Sequence, residues 1–281
     1  MPRKPKNPKP LDPDVDVFSL YDGQVRLEYK DSSHRYKVSD NEAKPEQVPS
    51  VTTILNVLNK PALVEWATRV VCDRVEQDIR ALVAGSSFSV DQIFKVIAAA
   101  RTAHHELREE AAEIGVNAHD WLSQYWKGYL SGVCPPMPED PKVQNCINAA
   151  LDWFQTKNIK PLFVEQPQYS RIHKISGRSD LIAEVDGQLS VVDYKSTRSL
   201  YPECAIQMAA YAKFHEEQHQ ALPAVRWGLR LNKEDGTFEA RRYPPETLDL
   251  DFSSFMACYT IYDRMKHLRR KEKPEADSWL G

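Results

Sequence analysis

The chain has 281 residues, 42% of them hydrophobic and 27% charged, enough for one large domain or two modest ones. A net charge of −3 makes it no polycation, so composition gives nucleic-acid binding no support and does not exclude a local basic groove. No apolar run approaches the length of about 18 residues that a membrane span needs, and the cysteines, Cys72, Cys134, Cys146, Cys204 and Cys258, are scattered without a CxxC pair, as expected of reduced thiols rather than a disulfide framework or a zinc or iron–sulfur site.

Residues 1–16 are rich in Pro, Lys and Asp and are expected to form a disordered basic arm. MPRKPKNPKP has no apolar centre and reads as neither a secretory signal nor a transit peptide. QVRLEYKDSSHRYKV (24–38) predicts two short strands around DSS. Ser50 or Thr52 is placed to cap a short helix, and Pro61 to open the next, over 62–84. GSSFS ends that pattern, and Ser89 is expected to cap a helix from Val90 to about Ala100. A separate long helix is expected over 101–130, with Gly115 in it at a cost of about 1 kcal/mol against Ala. GVCPPMPEDP reads as a loop and 142–157 as a helix. Trp66, Trp121, Trp126 and Trp153 lie on apolar-periodic helices and read as core, and His104 and His105 as solvated.

The pattern then changes. Strands are expected over 161–170, 177–187 and 188–197, the last two joined by Asp186-Gly187, a tight-hairpin signal. A helix over 202–219, a strand pair around KEDG and a helix over 247–271 follow; its basic run, Arg264 to Lys273, reads as a solvated helix end. Helices first, then strand–strand–strand–helix–strand–strand–helix, predict an α/β fold: a mixed central sheet flanked by helices with a helical N-terminal wrapping.

The second core strand carries Asp180 and the third ends in Asp193-Tyr194-Lys195. Residues i and i+2 of a strand share a face, so Asp193 and Lys195 point the same way, and the hairpin brings Asp180 within reach of Asp193. Paired carboxylates stay ionised most easily around a divalent cation, and hard oxygen donors select Mg²⁺ or Mn²⁺. With a lysine beside them, the chemistry that fits is metal-assisted hydrolysis of a phosphodiester. Two surface acids and a lysine in a solvated hairpin are the plain alternative.

GRSD (177–180) and VVDYKS (191–196) resemble the PD-(D/E)xK nuclease superfamily and, within it, RecB-like exonucleases. EIGVNAHDWL (113–122) resembles the helix that carries the family's histidine, FVEQPQY the preceding strand, and QMAAY its Q-x-x-x-Y helix. HRYKV, VPSVTTIL and ALVEWA resemble the N-terminal part of phage and mitochondrial genome maintenance exonucleases. The resemblance implies a restriction-endonuclease-like core, with His119, Asp180, Asp193 and the main-chain carbonyl of Tyr194 as ligands of Mg²⁺ or Mn²⁺. Lys195 would be the catalytic lysine and Glu165 an auxiliary catalytic acid. Gln207 and Tyr211 would line the site and touch DNA. Ser50, Thr52 and Thr53 at a helix start, with Ser196 and Thr197, would be phosphate contacts. Ser179 stands where the superfamily's name has Pro, and Asp193 where Glu is common. A late Cys258 without a cysteine cluster places the chain outside the iron–sulfur branch, so no iron–sulfur cluster is expected.

The implied activity is a metal-dependent DNA exonuclease acting on DNA ends or single strands in replication, recombination or repair. No GxxxxGK[ST] motif is present, so unwinding would fall to a partner protein of those pathways. The expected setting is the cytoplasm of a bacterial or phage-infected cell, and the expected organisation one nuclease domain over 17–281: an N-terminal part (17–160), the catalytic core (161–245) and a C-terminal helix (246–281). Two competing readings are a catalytically silent DNA-binding module on the nuclease fold, and an unrelated metal enzyme or structural protein with a chance D-x-K. The first is disfavoured because every implied catalytic position holds a competent residue; the second leaves GVNAH and QMAAY unexplained.

Overall fold

Alternating β-branched and polar residues set up two sheets, and amphipathic helices cover them. The computed structural model describes residues 14–271 apart from 42, 59–60, 85–88 and 130, with the main chain alone for 61, 62, 270 and 271. A four-stranded antiparallel sheet comes first: β1 (Val15–Leu20), β2 (Val25–Lys30), β3 (Arg35–Asp40) and β4 (Glu46–Val48), in that spatial order. The hairpin expected around DSS is β2 and β3, joined by a single 3₁₀ turn. β1 and β4 were not expected. β1 starts inside the stretch read as a disordered arm, because Val15, Val17 and Phe18 find a partner strand that no local pattern announces; residues 1–13 of that arm lie outside the described residues.

Helix α1 (Val51–Leu55) is capped by Ser50, whose Oγ accepts the Thr53 N–H at 3.1 Å. Helix α2 (Pro61–Ala84) opens at Pro61 as expected. Helix α3 (Val90–Tyr129) runs unbroken for 40 residues, where two helices meeting near Ala100 were expected. Ser89 caps it reciprocally with Gln92: Ser89 N–H donates to Gln92 Oε1 at 2.7 Å and Gln92 N–H to Ser89 Oγ at 3.3 Å. Helix α4 (Pro141–Gln155) starts under Asp140, whose Oδ1 accepts the N–H groups of Lys142 and Val143.

The second sheet has five strands in the order β5 (Ile159–Ser170), β6 (Ile175–Val185), β7 (Gln188–Lys195), β8 (Val225–Leu231) and β9 (Phe238–Tyr243). Its neighbours are antiparallel except β7 and β8, which run parallel because α5 (Glu203–His219) carries the chain back across the sheet. Asp186 and Gly187 both have positive φ, +51° and +79°, as a two-residue hairpin turn requires. Helix α6 (Leu248–Lys271) closes the described chain. This is the mixed α/β architecture expected, with the element order of its second half unchanged.

The five-stranded sheet is covered on both faces. On one, Leu181, Ala183 and Val192 pack against Leu122, Trp126, Ile147 and Trp153 of α3 and α4. On the other, Ile182 and Val191 pack with Ile54, Met208, Phe214 and Phe255 of α1, α5 and α6. Trp121, Trp126 and Trp153 are core residues, as their spacing predicts, and Trp66 is half-buried. The small sheet joins β5 through buried Tyr169 and the Tyr21 Oη, which donates to the Tyr169 carbonyl at 2.7 Å. Arg171 pairs with Asp40 across the same junction. No helix among the described residues is long and apolar enough to cross a membrane.

Candidate metal centre and active site

Glu165 lies on β5, Asp180 on β6 and Asp193-Tyr194-Lys195 on β7. In the β5/β6 ladder Val164 pairs with Leu181 and Gln166 with Ser179, so Glu165 and Asp180 stand at matching positions between those pairs. The β6/β7 ladder stops at Leu181 and Val192. Beyond it the Tyr194 N–H donates to Asp180 Oδ2 at 2.7 Å. A side-chain carboxylate thus replaces a main-chain carbonyl where strand pairing ends. Glu165 itself has φ +50°, a left-handed conformation that costs a non-glycine residue about 1–3 kcal/mol and concentrates at functional sites.

His119 reaches the same point from α3, its Nδ1 3.5 Å from Asp180 Oδ1. Ligand atoms of His119, Glu165 and Asp180 lie within 4.8 Å of one another, the single such group of three found among the described residues. Gly115 sets the approach of the helix: a Cβ there would stand 2.7 Å from Ser196 Oγ, at the end of β7. The residue that lowers helix propensity is the one that lets α3 close on the sheet.

Asp193 is 1% exposed. Lys195 Nζ lies 2.7 Å from its Oδ2, an ion pair at an angle that leaves this oxygen without an aligned hydrogen bond. Gln207 Nε2 donates to Asp193 Oδ1 at 3.3 Å and to Tyr211 Oη at 3.1 Å. The Tyr211 ring lies over Gly177, where a Cβ would meet its Cε1 at 2.8 Å. Tyr194 is held from behind by the Trp126 indole, which donates to its hydroxyl at 3.0 Å.

The electrostatics follow from crowding acids in a dry place. Burial, then the Asp180 charge, pushes the Glu165 carboxyl up to about 7. Burial also pushes Asp180 up, but the charge and hydrogen bond of His119 hold it below the ordinary carboxylate range. Burial would strip the His119 proton; Asp180 overrides this and raises the imidazole to about 9. Burial raises Asp193 despite Lys195. Burial would likewise deprotonate Lys195, yet the Asp193 and Asp180 carboxylates hold its ammonium above the usual range.

An imidazole and two carboxylates that repel each other fit a hard divalent cation. His119, Glu165 and Asp180 could hold it directly, with Asp193 one strand away. Ser50 and Thr52 line an adjoining cavity, whereas Thr53 is exposed, its hydroxyl 2.8 Å from Ser50 Oγ. Ser196 is half-buried beside Gly115, and the exposed Thr197 donates its hydroxyl to the Ser199 carbonyl at 2.9 Å. Sequence reasoning passed over Arg178, Tyr29 and Tyr36, which line that cavity. The available signal was that Arg178 alternates with Asp180 along one strand.

An acid on β6 and an acid-x-lysine run on β7, within a mixed five-stranded sheet, agree with a family comparison: residues 56–276 match the model of the PD-(D/E)XK nuclease superfamily. The chain belongs to that superfamily. Its sheet flanked by helices is the restriction-endonuclease-like fold, and membership indicates a nuclease. β1–β4 and α1 of this PD-(D/E)XK protein lie outside the match. No curated protein matches the chain.

Proposed function

We propose that this protein is a Mg²⁺- or Mn²⁺-dependent DNA exonuclease of the RecB-like type, acting on DNA ends or single strands in replication, recombination or repair. The observation that carries the reading is the convergence of His119, Glu165 and Asp180 beside the Lys195–Asp193 pair. His119, Asp180, Asp193 and the Tyr194 carbonyl would hold the metal, with Glu165 beside them. A bound Mg²⁺ or Mn²⁺ supplies Lewis-acid polarisation of the scissile phosphate and a more acidic water.

The chain's own residues do the rest. Lys195, kept as ammonium, offsets the charge that grows on the phosphate. Asp193 and Gln207 hold Lys195 and Tyr211 at the site. Glu165, whose carboxyl burial and the Asp180 charge push up to about 7 in the metal-free protein, ionises when a cation arrives and serves as an auxiliary acid of the site. Ser50, Thr52, Thr53, Ser196 and Thr197 offer hydroxyls to the strand's phosphates. We read the nuclease domain as including the small sheet. A replication or recombination protein partners it in the cytoplasm of a bacterial or phage-infected cell.

DNA labelled at the 5′ or 3′ end, single- and double-stranded, tests this in Mg²⁺, Mn²⁺ or EDTA beside Lys195→Ala. Metal-dependent release of end label, lost in the variant, is the expected result, and its order gives the polarity. Intact substrates under every condition, with DNA still shifted on a gel, would leave a catalytically silent binding module instead.

A further inference from the structure

A cavity of about 240 Å³ opens beside Glu165, and residues from both sheets line it: Tyr29 and Tyr36 from the small sheet, Ser50 and Thr52 between the sheets, and Arg178 from β6. The Arg178 guanidinium lies 4.8 Å from the centre of the Tyr29 ring and 5.4 Å from that of Phe18. Two aromatic rings thus lie within cation–π reach of it. Its recorded ion pair is a long one, 3.7 Å to Asp16, a carboxylate 65% exposed to water. Its Nε is buried without a hydrogen-bond partner. A guanidinium flanked by two rings, and bonded this little, has N–H groups to spare.

A guanidinium fork recognises carboxylate or phosphate oxygens in pairs. Across the cavity Ser50 and Thr52 bring hydroxyls, which also donate to such oxygens. Glu165 also lines the cavity, and its charge repels an anion until a cation neutralises it. A cavity with one fixed cation, hydroxyl donors and a metal-binding acid at its edge suits a phosphate group that arrives with the metal.

We propose that this cavity is a phosphate subsite for the nucleic-acid strand, with Arg178 as its clamp, and that the small sheet outside the superfamily match is part of the substrate site. The proposal rests on the nuclease reading above and adds to it a residue, Arg178, and a role for β1–β4. The phosphate is either a terminal monoester or an internal diester of the strand.

Fluorescence anisotropy separates these, using the full chain with Ca²⁺ in place of Mg²⁺ and DNA integrity checked on a gel. The probes are one oligonucleotide with a 5′-phosphate, a 5′-hydroxyl or a 3′-phosphate, and its circular form. Arg178→Gln is expected to weaken binding about tenfold to a hundredfold, and Arg178→Lys less. Thr52→Ala, on an exposed side chain that the fold does not need, is expected to weaken it about threefold. A loss confined to one phosphorylated end identifies a terminal monoester; an equal loss on the circle identifies a diester. Asp16→Ala, which frees the guanidinium, leaves binding unchanged or tighter. If Arg178→Gln keeps the wild-type Tm and binds every probe as wild type does, the proposal is overturned while the nuclease reading stands. If wild type binds none of the probes, both fall. Binding that depends on Arg178 in a protein that never cleaves sinks the nuclease reading alone.

Discussion

His119 Nδ1 stands 3.5 Å from Asp180 Oδ1, so α3 and the catalytic sheet meet through an imidazole and a carboxylate. With the imidazole protonated, as the Asp180 charge favours, that contact is an ion pair, and its proton is what a bound metal would displace.

A pH dependence follows. His119 is raised from 6.5 to about 9 and Glu165 from 4.5 to about 7, so the folded metal-free protein binds more protons than the unfolded chain across that range. Their contribution is complete below the unfolded values and is lost as pH rises through the folded ones. In EDTA, Tm is expected to fall from pH 5 to pH 9. Mg²⁺ or Mn²⁺ abolishes the fall by replacing the protons, and calorimetry in buffers of different ionisation enthalpy detects their release. A Tm that is flat in EDTA and unmoved by metal would contradict the assignment of these two residues to one site.

Lys195→Ala removes the ammonium 2.7 Å from Asp193 Oδ2 and leaves a carboxylate 1% exposed without its cation. Activity is expected to drop at least about a hundredfold, and stability by about 1–3 kcal/mol. Lys195→Ala/Asp193→Asn recovers much of the stability and none of the activity. Urea denaturation beside a cleavage assay measures both; equal loss of the two in the double variant would show that the pair serves the fold alone.

Glu165→Gly separates stability from function in the opposite direction. It relieves a positive φ and removes a carboxyl that burial disfavours. The metal-free protein is expected to gain about 1 kcal/mol while metal affinity and cleavage fall. Equilibrium unfolding in EDTA provides the test, and a destabilised variant would refute the strain argument.

Gly177→Ala sets a methyl against the Tyr211 ring, with Cβ at 2.8 Å from Cε1 and 3.2 Å from Val51 Cγ2. Overpacking of this kind costs about 1–3 kcal/mol, and here it also pulls Tyr211 from Gln207. Tyr211→Leu in the same chain restores part of the stability by vacating the ring's space. Additive losses in the double variant would mean that the two residues do not contact each other.

Much of the fold was legible because its signals are short-range. Asp186-Gly187 is a turn whatever surrounds it, since both residues tolerate positive φ. Ser50 and Ser89 cap helices through bonds to N–H groups three residues away. Asp193 and Lys195 share a side because strand side chains alternate. The site was legible only as a set of residue types in chain order. Nothing local in FVEQP announces that Glu165 turns left-handed, and nothing local to Gly115 reveals that Ser196 occupies the space of its missing side chain.

By itself, then, the sequence determined most of the strands and helices, where many of them begin, and which acids and lysine alternate along the core hairpin. Tertiary structure alone decided that α3 continues past Ala100, that Val15–Leu20 finds a partner strand, that Glu165 joins His119 and Asp180 while Lys195 takes Asp193, and that Arg178 lies against two rings of the other sheet. The reason is one of range. Turn, cap and alternation energies act within a few residues of one chain. Convergence of residues as far apart in sequence as 119 and 193 is set by which apolar faces bury against each other, and the polar groups carried along must then find partners, or a cation, where they arrive.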